Sequence, residues 1–411
     1  MTTGLIDLHV HPSLKMYYLP YLRRTFHAMV YSGPIWNPLS FRTQYSNISK
    51  APIKVMLCTH YVIEQGFVCH GIRKFARSFS WVMAPWFYRR LRTDDPWKVT
   101  LEMMDTLEDS IANTNRWVGK GGRRLKLVRS FEELDNVAEN EIAMIHSIEG
   151  SHSLGYGPKP GQSLDDFWTQ TKKRVRALKE RGVCLITLSH FWDNMFSPQT
   201  KGVEYVPKVR PDGAVVPWPE DWLFTMKRAE WKWGDPSKLS NELAELMLDE
   251  GIIIDVAHAQ EHARWKIYDL CEKKGRPVVA THNGLQHFFN HEYNLSDAEV
   301  LRIHKLGGVV GLILSRRWLV DPIKRYKSKG DGIDDLIENM VYIRDLTGDC
   351  TAIGIGTDFD GLTDPFKDAY KPQQLHEIKR KMAVYFSEEE IEQIFYGNSL
   401  RLLKNGWGAK R

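Results

Sequence analysis

The stretch "IDLHVHPSLK" (Ile6–Lys15) begins as an apolar run and ends with two histidines spaced one residue apart. In an extended strand, side chains i and i+2 point the same way, so His9 and His11 project from one face. A strand that delivers two imidazoles at its end has the form of half a metal site. The other reading is a pair of surface histidines in an N-terminal strand, and the rest of the chain decides between them.

Seven more runs of this kind follow: "KVMLCTHYV" (54–62), "EIAMIHSIEG" (141–150), "VCLITLSH" (183–190), "IIIDVAH" (252–258), "PVVATHNG" (277–284), "GGVVGLIL" (307–314) and "AIGIGTDF" (352–359). They are continuous rather than alternating, as expected of parallel strands buried on both faces. Helical patterns occupy 165–181, 238–250, 260–274, 297–305, 332–346 and 388–403. Asp297 is read as a cap, with Gly307 and Gly308 closing its helix. Eight strands alternating with helices give the count of an α/β (β/α)₈ barrel of the metal-dependent hydrolase type. A doubly wound sheet is the alternative, but no G-x-G-x-x-G follows the first strand.

The chain reads as a single barrel domain over 1–411, with insertions at about 12–53, 63–140 and 191–236. In a barrel, segments that follow strands lie at the C-terminal face, where substrates bind. The third insertion carries "VVPWPEDWLFTMKRAEWKWG", which fits a lid, a dimer contact or ordinary packing over the barrel. The basic and aromatic stretch at 71–92 fits a helix packed on the barrel or a membrane-surface contact.

A net charge of +5 with no dense Lys/Arg block gives nucleic-acid binding no support. The five cysteines (Cys58, Cys69, Cys184, Cys271, Cys350) are scattered without a C-x-x-C, which suits reduced thiols in a cytoplasm. No apolar run approaches a membrane span, and the N-terminus lacks the pattern of a signal peptide. A homodimer is the general expectation for an enzyme of this size.

Six of the eight strands end in a residue that binds metals or carries protons: His9 and His11, Glu149, His190, His258, His282 and Asp358. Barrel packing requires none of these residue types there, and a barrel converges its C-terminal ends on one cavity. Imidazoles with carboxylates favour zinc, with manganese, iron and cobalt as alternatives. Five histidines and two carboxylates exceed what one catalytic zinc uses. Two metals bridged by a carboxylate and a hydroxide use the set economically, and Glu149 is the natural bridge.

These residues in this order resemble the amidohydrolase superfamily and, more narrowly, the membrane (renal) dipeptidase family, peptidase family M19. The resemblance spans essentially the whole chain. It rests on "LHVH", "SIEGSHS" (147–153), "TLSHFWDN" (187–194), "DVAH" (255–258), "THNG" (281–284), "GIGTDFDG" (354–361) and "GNSLR" (397–401). It implies one zinc on His9, His11 and Glu149 and a second on Glu149, His258 and His282. His190 is then the residue that polarises the scissile carbonyl, and Asp358 accepts the water's proton and delivers it to the leaving amine. Asp360 and His152 are expected to support the site or shape the substrate pocket.

Two departures stand out. The family begins with H-x-D, whereas the second position here is His11. After the sixth strand the family carries Arg-Asn-Leu, whose arginine holds the dipeptide carboxylate; here "HEYNLSD" puts Tyr293 in its place. A hydroxyl donates one hydrogen bond and cannot form the bidentate charged pair of arginine. The expected function is therefore amide or peptide hydrolysis of a dipeptide-like small molecule. The alternatives are another small amide, an N-acyl amino acid, an ester or a lactone as substrate, and a non-catalytic metal-binding barrel.

Overall fold

The computed structural model describes residues 4–19, 22, 24–27, 32–34, 37, 39–64, 90, 95–191, 194–197, 208–209, 215–216, 236–327, 332–361 and 363–408. Most of the stretch at 71–92 and most of the Trp-rich insertion lie outside these residues.

Strands β1 (Leu5–Val10), β2 (Ile53–Tyr61), β3 (Arg124–Leu127), β4 (Glu141–Glu149) and β5 (Leu185–Thr187) come first. A two-residue antiparallel ladder, β6 (Lys208–Val209) with β7 (Val215–Val216), stands apart. Strands β8 (Ile253–Asp255), β9 (Val279–Asn283), β10 (Val309–Ile313) and β11 (Ile353–Gly356) complete the set. Parallel pairing runs β2-β1-β11-β10-β9-β8-β5-β4, and β4 pairs back onto β2, closing an eight-stranded barrel. The expected (β/α)₈ architecture is therefore observed.

Strand β3 was not expected. It pairs with the start of β4, over Glu141–Met144, while β5 pairs only with its end, over Ser147–Glu149. A short β5 thus leaves room on that edge for an additional strand from the insertion at 63–140.

Alternation along β4 shows how the fold builds its site. Ala143 and Ile145 belong to a buried cluster with Ile6, Leu8, Val55, Leu57, Leu185, Ile253, Val279 and Val309, contributed from around the barrel. Leu402, Leu403 and Trp407 of the C-terminal segment pack into the same cluster. Two and four residues beyond Ile145, the same face of β4 presents Ser147 and then Glu149. Apolar packing fills the barrel, and its C-terminal mouth receives the polar residues.

Two helix assignments need correction. The cap of the helix Asp297–Lys305 is Ser296, which forms a capping box with Glu299, so Asp297 is the first helical residue. The pattern at 388–403 resolves into Glu388–Glu392, a π turn over Gln393–Gly397, and Asn398–Gly406. The π turn shifts the helix register by one residue. Among the described residues no helix is long and apolar enough to cross a membrane. Cys58, Cys184, Cys271 and Cys350 are buried and unpaired by disulfides.

Candidate active site

His9 lies within β1 and His11 one residue past it, Glu149 ends β4, and His282 lies in β9. His190, His258 and Asp358 follow β5, β8 and β11 by two or three residues. All seven are at least nine-tenths buried. His258 and Asp358 have φ of 64° and 53°, a left-handed conformation that non-glycine residues rarely adopt. Asp358 also requires a glycine nearby, because a Cβ on Gly361 would lie 1.9 Å from its Oδ1.

The five expected ligands converge. His9 Nε2 and His11 Nε2 are 3.0 Å apart, as are His258 Nε2 and His282 Nε2. Glu149 stands between the pairs: its Oε1 is 3.3 Å from His9, 3.4 Å from His258 and 3.5 Å from His282, and its Oε2 is 3.5 Å from His11. Donors at about 2.0–2.1 Å from a shared tetrahedral zinc stand roughly 3.4 Å apart, so both triads fit an ion. His9, His11 and Glu149 form one candidate metal group, and Glu149, His258 and His282 form another.

Asp255 completes a third group with His9 and His282, but its oxygens are already engaged. Oδ2 accepts from the hydroxyls of Thr187 and Thr281, and Oδ1 from the backbone N–H of Ala257 and Thr281. The Thr281 hydroxyl has one proton, and a carboxylate can only accept it. Its oxygen therefore accepts from the two ring nitrogens it meets, His9 Nδ1 at 3.2 Å and His282 Nδ1 at 2.8 Å. One threonine thus turns the Nε2 lone pair of one ligand from each pair toward the metal position.

The electrostatics follow from burial and from this crowding. Burial alone would raise the Glu149 carboxyl, yet His190, His9 and their neighbours hold it well below its ordinary range. Burial disfavours charge on His9, but Glu149 outweighs it and raises its pKa to about 9, so an ion binding at Nε2 displaces the ring's second proton. His258 and His282 are pushed down by burial and by adjacent imidazoles.

Asp358 Oδ1 lies 3.2 Å from His11 Nε2, and His190 Nε2 lies 3.6 Å from Glu149 Oε2. Asp360 instead ties distant segments together, accepting from Lys15 Nζ, from the backbone N–H of Arg42 and Thr43, and from the Thr43 hydroxyl. His152 donates from Nε2 to the Val62 carbonyl at 2.7 Å.

Tyr293 departs from the expected role. It is 2% exposed, and its hydroxyl donates to the His282 carbonyl. Its ring packs against His258 and Trp318, with centroids 5.0 Å and 4.3 Å away. With its only hydroxyl proton engaged, it forms a wall behind the metal ligands rather than a free donor for a substrate carboxylate. Glu64, just past β2, went unnoticed in the sequence; it contacts His190 Nδ1 at 3.1 Å and 3.2 Å.

The family model for membrane dipeptidases (peptidase family M19) matches residues 214–408. Over these residues the chain is similar to that family. An uncharacterized protein of Klebsiella pneumoniae, named for the pqqA 5′ region, is 28% identical over 157 residues, covering 38% of this chain and 55% of that protein. An uncharacterized dipeptidase of Schizosaccharomyces pombe is 24% identical over 309 residues, covering 74% of this chain and 63% of that protein. The matches thus span 55% and 63% of these relatives' own length. Among solved structures, the M19 dipeptidase AC superposes with a TM-score of 0.68 at 18% identity, covering all of both chains. A metallo peptidase from Rhodobacter sphaeroides, liganded with a phosphinate mimic of L-Ala-D-Ala, gives 0.68 at 16% identity, covering 99% of this chain and 100% of that one. These likenesses establish the parallel α/β barrel as the fold.

Proposed function

We propose that the protein is a binuclear zinc hydrolase that cleaves the amide bond of a dipeptide or a similar small molecule. The observation that carries this reading is Glu149 set between two histidine pairs, with Asp358 beside one of them. Two bound zinc ions would supply a water acidic enough to ionise near neutral pH and would polarise the amide carbonyl. Manganese, iron or cobalt suits the same donors.

The remaining chemistry falls to the chain. Asp358 Oδ1 accepts the proton of the attacking water and delivers it to the leaving amine nitrogen. His190 donates from Nε2 to the carbonyl oxygen as negative charge develops there, an interaction worth roughly 3 kcal/mol. The dipeptide mimic bound by the Rhodobacter sphaeroides enzyme supports the substrate class through the shared fold.

A second reading keeps this machinery and changes the substrate to an N-acyl amino acid, ester, lactone or other small amide. It is favoured by Tyr293, whose hydroxyl is bonded to the His282 carbonyl where the family places a carboxylate-binding arginine. A panel of L,L and L,D dipeptides, N-acyl amino acids and lactones, given to zinc-loaded protein beside Asp358→Asn, separates the two. Dipeptide cleavage that vanishes in the variant supports the first reading. Turnover confined to substrates without the dipeptide carboxylate supports the second, and no turnover of any member overturns both.

A further inference from the structure

Glu64 is a buried carboxylate that belongs to neither metal group. It is 2% exposed, and a carboxylate so placed needs a compensating partner. Among the described residues its ion-pair partner is His190, whose Nδ1 is 3.1 Å from Oε1 and 3.2 Å from Oε2. The carboxylate is itself held in place. Oε1 accepts from the Phe191 N–H at 3.1 Å, and Oε2 accepts from the Tyr61 hydroxyl. From the other side, His152 anchors the Val62 carbonyl two residues earlier.

The His190 ring has little freedom around it. Tyr61 and Phe191 each lie 4.1 Å from it, centroid to centroid, and His258 lies at 4.5 Å. Packing of this kind fixes the ring plane but does not choose between its two flipped orientations, because a half-turn about Cβ–Cγ exchanges Nδ1 with Cδ2 and Nε2 with Cε1 and preserves the shape. The choice is made by a hydrogen bond.

We propose that Glu64 is a positioning residue for His190: it captures the Nδ1–H edge, so that Nε2 faces Glu149 and the scissile bond. The inference rests on the hydrolase reading above for its catalytic consequence. A carboxylate only accepts, so the Nδ1 that meets Glu64 carries a proton. Nε2 in turn faces the metal ligands, 3.6 Å from Glu149 Oε2. Donation from Nε2 to the carbonyl oxygen then places a proton on both nitrogens, and a charged donor makes a stronger hydrogen bond to a developing oxyanion than a neutral one. His152 gains a role as well, since its bond to Val62 holds the segment that carries Glu64.

The test is Glu64→Gln, which keeps the shape and removes the charge, with Glu64→Asp as the conservative variant, both zinc-loaded. The expected result for Glu64→Gln is a fall in kcat of about 10–100-fold, with KM, zinc content and melting temperature unchanged and partial recovery in Glu64→Asp. Nitrogen-15 NMR of histidine-labelled, zinc-loaded protein reads the contact directly. The His190 Nδ1–H coupled to a carboxylate should be present in the parent and altered in Glu64→Gln. Unchanged kcat in Glu64→Gln, while Asp358→Asn is inactive, overturns the inference and leaves the hydrolase reading standing. Loss of zinc or of the fold in both variants also overturns it, in favour of a structural role. If the parent turns nothing over, the hydrolase reading fails, and the NMR signal alone decides whether Glu64 holds Nδ1.

Discussion

Asp358 Oδ1 stands 3.2 Å from His11 Nε2, bringing the end of the last barrel strand against the end of the first. The carboxylate thereby borders one metal group without being part of either. Asp358→Asn should leave zinc content unchanged and lower kcat by about 10²–10⁴-fold, the usual contribution of a positioned acid–base group. Steady-state kinetics with metal analysis on the same samples checks this. Activity within a few-fold of the parent removes Asp358 from the proton path.

Thr281 gives a separate prediction. Thr281→Val retains the branched shape but deletes the hydroxyl that receives His9 Nδ1 and His282 Nδ1 and that donates to Asp255. Outer partners of metal-binding histidines typically account for about 10–100-fold in metal affinity. Competition with a zinc chelator should show a loss of that size, touching both sites because His9 and His282 serve different pairs. An unchanged affinity contradicts the tautomer argument.

A third prediction concerns pH and lies outside the site. His60 and His146 are buried and linked in a row: Ser13 Oγ meets His60 Nδ1 at 2.8 Å, His60 Nε2 meets His146 Nδ1 at 2.7 Å, and His146 Nε2 meets Glu108 at 3.2 Å. Burial lowers the pKa of both rings below the ordinary 6.5, with each also facing further positive or potentially positive groups. The unfolded chain therefore binds these protons first. Their stabilising contribution is complete above about pH 6.5 and declines as pH falls below it, by up to about 1.4 kcal/mol per pH unit for each group. Denaturant unfolding from pH 8 to 5 should show this slope, and a His60→Gln, His146→Gln double variant should lose part of it. Equal slopes in parent and double variant contradict the assignment.

Much of this molecule can be read from its sequence because a barrel turns strand ends into a single location. Each run such as "IIIDVAH" announces a buried strand by its apolar continuity, and the residue at its end is then assigned to the mouth. That logic reached His9, His11, Glu149, His190, His258, His282 and Asp358, which the structure gathers together. It could not reach Glu64, a single acid in "VIEQ", because its partner His190 is distant in sequence and neither hydrophobic period nor motif marks it. Tyr293 can be located from the sequence, but its hydrogen-bond partner cannot. Its position suggested a replacement for an arginine, whereas its hydroxyl bond to the His282 carbonyl is a matter of loop geometry. Strand β3 escaped because four residues, "RLKL", carry little periodic signal.

The central claim is that Glu149 joins two metal positions. Its most direct test is the number of zinc ions per chain at saturation, measured for the parent and for Glu149→Gln. The account predicts two ions in the parent and a weakening of both in the variant, since each candidate group includes this carboxylate. A single ion in the parent, or two retained with undiminished affinity in Glu149→Gln, would contradict it.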